Sequence, residues 1–257
     1  MKSIAVASGV QEARGVLIPE VTIGLDLGNR RSYFCMLDQT GTVLEEGKVA
    51  TTRKALEHKF CGGPSVRIAL ENGTPSRWVS QLLEKAGHEV IVANPRQVRL
   101  IGENTSKDDR VDAERLARLA RVDPKLLAPI QHRSDVTQAD LLVLRSRDLL
   151  VGTRTKLINH VRGVLRSRGI QVAKCSTRSF EARAAEHVPD ELRPALAPVL
   201  EELHSLNAKI IDYDRKIKEM AVERYPQSQL LTQVNGVGAL TALFFLLTIE
   251  DPRRFKK

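Results

Sequence analysis

The stretch VTIGLDLGNRRSYFCMLDQTG, residues 21–41, decides how the chain is read. Val21, Ile23, Leu25 and Leu27 alternate with Thr22, Gly24 and Asp26. That period of two predicts a strand. Ser32 to Leu37 reads as a second strand, Asp38-Gln39-Thr40-Gly41 as a turn, and Thr42 to Val49 as a third strand. Together they predict an antiparallel meander.

Working outward, a helix is expected over Thr52 to Phe60, stopped by Gly62-Gly63-Pro64. Val66 to Leu70 is a short apolar strand ending at Glu71. Pro75 can open a helix that Gly87 ends. His88 to Ala93 is a fifth strand. Asn94-Pro95 turns into a further helical stretch, and Lys107 to Arg121 forms another helix. Three strands, helix, strand, helix, strand, helices is the order of a ribonuclease H-like α/β fold, a mixed sheet flanked by helices.

Asp26 is the most informative residue of the opening strand. A carboxylate inside an apolar strand is costly unless it is paired or bound to metal. Gly24 and Gly28 flank it and leave room for a ligand. Val66, Ile68 and Leu70 point one way, so Glu71 leaves the sheet on the Asp26 face if the two strands are adjacent. Asp109 and Asp112, three apart on a predicted helix, share a face. Hard magnesium or manganese ions take such oxygen ligands, completed by water and substrate phosphate. Two ions can clamp the attacking and leaving oxygens of a phosphodiester. Each acid also has an ordinary reading: a strand-end Asp, a turn Glu, and helix N-terminal acids favoured by the dipole. The set of four, in this fold order, favours the metal site.

Composition agrees with a polyanionic partner. The 257 residues carry a net charge of +9, with an isoelectric point near 9.7. No run of about 18 apolar residues occurs, so no membrane span is expected. The first residues are too polar for a secretory signal. Cys35, Cys61 and Cys175 lie far apart and form neither a zinc pattern nor a disulfide framework, which fits a reducing cytoplasm. The histidines are scattered, and neither GxSxG nor a Walker A sequence is present.

After Pro129 the pattern turns to long helices. Residues 137–169 carry the stripe Val143/Leu144, Leu150/Val151, Leu157/Ile158, Val161, Val164/Leu165. Leu196, Val199, Leu203, Leu206, Ile210, Tyr213, Ile217 and Met220 recur at alternating spacings of three and four, a heptad pattern. It predicts a coiled-coil hairpin or a dimer arm, the alternative being an ordinary bundle helix. Arg145, Arg147, Arg154, Lys156, Arg162, Arg166, Arg168, Lys174 and Arg178 face Asp148 as the only acid in their stretch. Phosphate neutralisation is the expected use, with a solvated helix face as the alternative. Few aromatics accompany them, so base stacking is not indicated. From Leu231 a compact unit begins, in which Gly236 and Gly238 suit either a hairpin meeting a DNA backbone or a helix-entry turn.

The segments GLDLGNRRSYFCMLDQTG (24–41), ALENG (69–73) and SKDDRVDAERLARLA (106–120) resemble the three acidic motifs of the DEDD insertion-sequence transposases. The matching positions are Asp26, Glu71, Asp109 and Asp112. Asp108 offers a second register, but Asp109 and Asp112 fit the motif best. VNGVGALTAL (234–243) resembles the start of the family's C-terminal domain.

The resemblance implies an N-terminal extension (1–19), a RuvC-like domain (20–135), a helical coiled-coil region (136–225) and the start of a transposase domain (226–257). It implies magnesium or manganese, double-stranded DNA, a noncoding guide RNA and a homo-oligomer, a dimer or tetramer, at work on the nucleoid of a bacterial cytoplasm. It also implies a serine nucleophile, expected beyond Lys257, so that the chain is expected to be incomplete for strand exchange. A sugar kinase or actin-like ATPase shares the opening loop but needs a second half. A Holliday-junction resolvase also uses four carboxylates but lacks the long helical region. A non-catalytic nucleic-acid-binding remnant is the third alternative.

Overall fold

The computed structural model describes residues 20–97 and 108–254, with the backbone of 12–13 and 16–17. It divides into two compact units, Met1–His132 and Arg133–Lys257.

In the first unit, Glu12–Ala13 (β1) and Val16–Leu17 (β2) form a short antiparallel pair. The main sheet contains Thr22–Asp26 (β3), Arg31–Leu37 (β4), Val43–Ala50 (β5), Arg67–Glu71 (β6) and Glu89–Ala93 (β7). Its order is β5-β4-β3-β6-β7. The first three strands form the predicted antiparallel meander, whereas β3, β6 and β7 run parallel. This mixed five-stranded sheet flanked by helices is consistent with the ribonuclease H-like order read from the sequence.

Helices cover both faces. Arg53–Phe60 (α1), capped by Thr52, and Ser76–Lys85 (α2) bury Leu56, Phe60, Val79 and Leu83. Their layer packs on Ile23, Leu25, Phe34, Ile68, Leu70 and Val92. Asp109–Val122 (α3) covers the opposite face, where Ala113, Leu116, Ala117 and Ala120 meet Cys35, Leu37, Ala69, Ile91 and Ala93. Its alanines keep that layer thin. The helical stretch expected after Asn94-Pro95 begins at residues 95–97; the rest, with Lys107, lies outside the described residues.

The turn at Asp38–Gly41 forms as expected. The Asp38 carboxylate accepts from the Thr40 and Thr42 amides and the Thr40 hydroxyl. The Thr40 hydroxyl, followed by the Thr42 amide, holds its carboxyl below the usual range. Gly41 takes φ +88°, a conformation that favours glycine.

In the second unit, the 33-residue Asp135–Ser167 (α4) pairs with the 31-residue Arg193–Glu223 (α6). The pairing is antiparallel. Leu141 and Leu144 meet Ile217 and Ala221 near one end, and Ile158, Val161 and Leu165 meet Leu196, Leu200 and Leu203 near the other. Phe180–Ala185 (α5) plugs the bend end with Phe180 and Ala184. Ser228–Leu231 (α7) and Ala239–Ile249 (α8) follow, and Leu243 and Leu247 complete the other end. Of the predicted heptad stripe, Leu196, Leu203, Leu206, Ile210 and Ile217 are buried, while Val199, Tyr213 and Met220 are half-buried. No helix among the described residues is long and apolar enough to cross a membrane.

Candidate functional site

Parallel pairing aligns β3 with β6, placing Leu25 beside Leu70. Asp26 and Glu71 are the next residues on each strand, on neighbouring strands about 4.8 Å apart. Alternation puts both on the face of Gly24 and Ala69. Each is half-buried. Glu71 is the last residue of β6 and pairs with Ala93 of β7.

The direction of α3 follows from where it meets the strands. A Cβ on Gly24 would overlap the Ala113 carbonyl oxygen and come within 2.5 Å of the Ala117 nitrogen. Further along, Arg67, at the start of β6, donates to the Ala120 carbonyl at 3.1 Å and to Glu89 at 2.9 Å. Helix α3 therefore runs antiparallel to β3 and β6. Its first turn, with Asp109 and Asp112, lies toward the strand end that carries Asp26 and Glu71. The Asp108 side chain accepts from the Arg110 amide at 3.0 Å and caps the helix. Asp109 and Asp112 are then the acids inside the first turn. Asp109 is exposed. Asp112, half-buried, holds Arg115 at 2.9 Å. Arg110 reaches Glu46 at 2.8 Å, and Arg118 and Arg121 donate to the Gly41 and Gln39 carbonyls. These ties fix α3 against the meander.

The room at Gly24 and Gly28, expected to admit a ligand, is filled by the protein itself. At Gly24 the α3 backbone occupies it, and at Gly28 a Cβ would overlap the carbonyl of Arg31, the first residue of β4.

The carboxylate set fits a divalent ion in part. Its donors are hard oxygens, and magnesium commonly uses one or two protein carboxylates plus water and phosphate. The side-by-side Asp26 and Glu71 meet that need. Among the described residues, however, no three His, Cys, Asp or Glu side chains gather closely enough to hold an ion between them. Asp109 and Asp112 stand at the same edge but do not close on the pair.

The basic residues divide into distinct groups. Arg147 donates to Asp214 at 2.9 Å and Arg154 to Asn207 at 3.1 Å, both within the seam between α4 and α6. The Arg154 Nε is buried without a partner. Burial first, then the like charges of Arg147 and Arg178, lower its pKa. Both are half-buried, with their heads engaged inside the chain. Arg145, Lys156, Arg166, Arg168, Lys174 and Arg178 are exposed, and Arg162 is half-buried over the Phe180 ring, 4.8 Å from its centroid.

Sequence reasoning missed the buried Asp140. It is 5% exposed and accepts from Arg224 at 2.7 Å and from the Tyr225 hydroxyl at 2.6 Å. Its place four positions before Leu144, on the face of the stripe, was the available signal. The 234–238 segment is the turn entering α8, with Gly236 at φ +84°.

A family model described as a transposase, the DEDD type of IS110 elements, matches residues 23–169. The chain belongs to the DEDD insertion-sequence transposase family. It is 26% identical over 254 residues to the transposase of insertion sequence element IS1111A from Coxiella burnetii, covering 91% of this chain and 65% of that protein. It is 31% identical over 211 residues to the y4pF/y4sB protein of Sinorhizobium fredii, described as a transposase, covering 80% of this chain and 53% of that one. The chain thus spans between half and two thirds of the length of these relatives. Among solved structures, Thermus thermophilus RuvC aligns at 16% identity and a TM-score of 0.28, over 40% of this chain and 96% of that one.

Proposed function

We propose that this chain supplies the metal-holding and nucleic-acid-gripping parts of an insertion-sequence transposase, acting on double-stranded DNA under a noncoding guide RNA. The observation that carries the reading is the place of Asp26 and Glu71, each one residue past the Leu25–Leu70 pair at the ends of adjacent parallel strands, with the acidic first turn of α3 toward the same end. Asp26 and Glu71 would hold a magnesium or manganese ion, with Asp109 and Asp112 completing the set when DNA is bound. Bound there, the ion would supply Lewis-acid polarisation of a phosphodiester.

The chain's own residues do the rest. The α3 N-terminal dipole and the Arg115–Asp112 pair offset the mutual repulsion of the acids. Arg145, Lys156, Arg162, Arg166, Arg168, Lys174 and Arg178, on α4 and the segment that follows it, neutralise phosphates. The helical hairpin serves as a coiled-coil arm that pairs copies of the chain into a dimer or tetramer. The setting is the nucleoid of a bacterial cytoplasm. The serine nucleophile that the family resemblance implies is not assigned to a residue of this chain.

Metal-linked DNA binding tests the reading. Without metal, the acidic edge repels phosphate; with metal, edge and phosphate share the ion. Binding of element-end DNA should therefore tighten on adding Mg2+. Asp26→Ala or Glu71→Ala should abolish the Mg2+ effect and preserve binding in EDTA. Mg2+ dependence that survives both substitutions would refute the reading.

A further inference from the structure

The bend end of the helical hairpin carries an open groove of about 440 Å³ lined by Arg162, Arg166, Ile170, Gln171, Val172 and Lys174. Three of these residues are cationic and none is acidic. Among the described residues, Arg162, Arg166 and Lys174 form no ion pair, unlike Arg147, Arg193, Arg215 and Arg224 of the same unit. Arg162 and Arg166 are four apart on α4 and therefore neighbours on one face. The guanidinium of Arg162 lies over the ring of Phe180, which is fully buried, so a rigid surface orients it. Gly169, at φ +75°, turns the chain after α4 and brings residues 170–174 back as the second wall.

We infer that this groove is a binding site for the phosphodiester backbone of duplex nucleic acid, working without a divalent ion. The inference rests on the transposase reading above and narrows its phosphate-binding surface to one place. Three unpaired cations in a concave, acid-free wall favour a multivalent anion over a single carboxylate. Among the described residues no aromatic side chain lines the groove, so it grips backbone and does not stack bases. Arg147 and Arg154, committed to the seam, take no part.

The test is a salt titration of the 257-residue chain on a duplex oligonucleotide, followed by fluorescence anisotropy in EDTA. The triple variant Arg162→Ala/Arg166→Ala/Lys174→Ala should flatten the slope of log affinity on log salt by about 0.9 for each phosphate no longer neutralised. Lys209→Ala/Lys218→Ala, which removes two exposed charges from α6, should leave the slope unchanged. Arg162→Lys/Arg166→Lys should restore it, and Gln171→Glu, which adds an acid to the wall while keeping the cations, should weaken binding severalfold. A single strand of the same sequence should bind more weakly than the duplex.

An unchanged slope in the triple variant would overturn the inference. So would an equal loss in the α6 variant, full affinity in Gln171→Glu, or a preference for single strands. Because EDTA removes the metal, any of these failures leaves the carboxylate reading standing. Mg2+ dependence that survives Asp26→Ala and Glu71→Ala would refute the carboxylate reading and leave the groove standing.

Discussion

In the sheet unit, acids collect at one edge, where Asp26 and Glu71 end adjacent strands and Asp109 and Asp112 open a helix. In the helical unit, cations dominate, and they separate into arginines locked inside a seam and others left open in a groove. The backbone explains the contrast. Parallel strands bring equivalent ends together, so a few carboxylates suffice to build a concentrated negative edge. A long helix pair offers length instead, and its polar residues are sorted by which side of the seam they occupy. The roles proposed above follow this division, ion binding for the first arrangement and extended phosphate binding for the second.

The largest expected effect lies in the sheet unit. Gly24→Val puts side-chain atoms where the α3 backbone sits, so α3 must lift from the sheet. We expect a loss of about 3 kcal/mol or more in urea unfolding. A variant as stable as the parent would mean that the close approach is not maintained in solution.

Asp140→Ala comes next. It leaves the Tyr225 hydroxyl and Arg224 without their shared acceptor. Arg224 is partly exposed, so water recovers some of the loss, and about 2 kcal/mol is expected. The amides of α4 and α6 should exchange faster near residues 137–144 and 217–225, with the sheet unchanged.

The seam should respond in an asymmetric way. Asp214→Ala leaves Arg147 only its longer, 3.6 Å pair with the exposed Asp148 and should cost about 1 kcal/mol. The double change Arg147→Leu/Asp214→Leu should restore stability to within about 1 kcal/mol, since apolar pairs commonly replace buried ion pairs without loss. If the double variant is the less stable, the polar seam contributes more than register.

The smallest effect is one of pH. Burial, with the Asp140 carboxylate adding to it, pushes the Tyr225 hydroxyl up to about 12 from an ordinary 10. The folded state thus holds this proton more tightly than the unfolded one. That contribution is fully present below pH 10 and is lost as pH rises through 12. Thermal melts of Tyr225→Phe should fall less steeply than the parent between pH 10 and 12. Identical slopes would show that Tyr225 does not carry the linkage.

Much of this was legible in the sequence because the determinants are local. Alternation across Val21–Leu27 gave β3, the Asp38–Gly41 turn gave the meander, and the heptad stripe gave α6 with its buried leucines. The placement of Asp26 near Glu71 was legible only conditionally, since adjacency of β3 and β6 is a long-range fact. Gly24 misled because a missing side chain looks the same whether a helix or a ligand fills the space. The seam contacts of Arg147 and Arg154 were not legible, because charge in a sequence does not reveal which side of a seam it faces. Asp140 was hidden because its partners, Arg224 and Tyr225, lie more than 80 residues away.

The proposed function requires the Asp26 edge to hold a divalent ion. The direct measurement is paramagnetic broadening of amide signals by Mn2+ in the 15N-labelled chain bound to element-end duplex DNA. Broadening should centre on residues 25–28, 70–73 and 109–113 and vanish in an Asp26→Ala/Asp112→Ala variant. Broadening centred elsewhere, or unchanged in that variant, would mean that these carboxylates do not hold the ion.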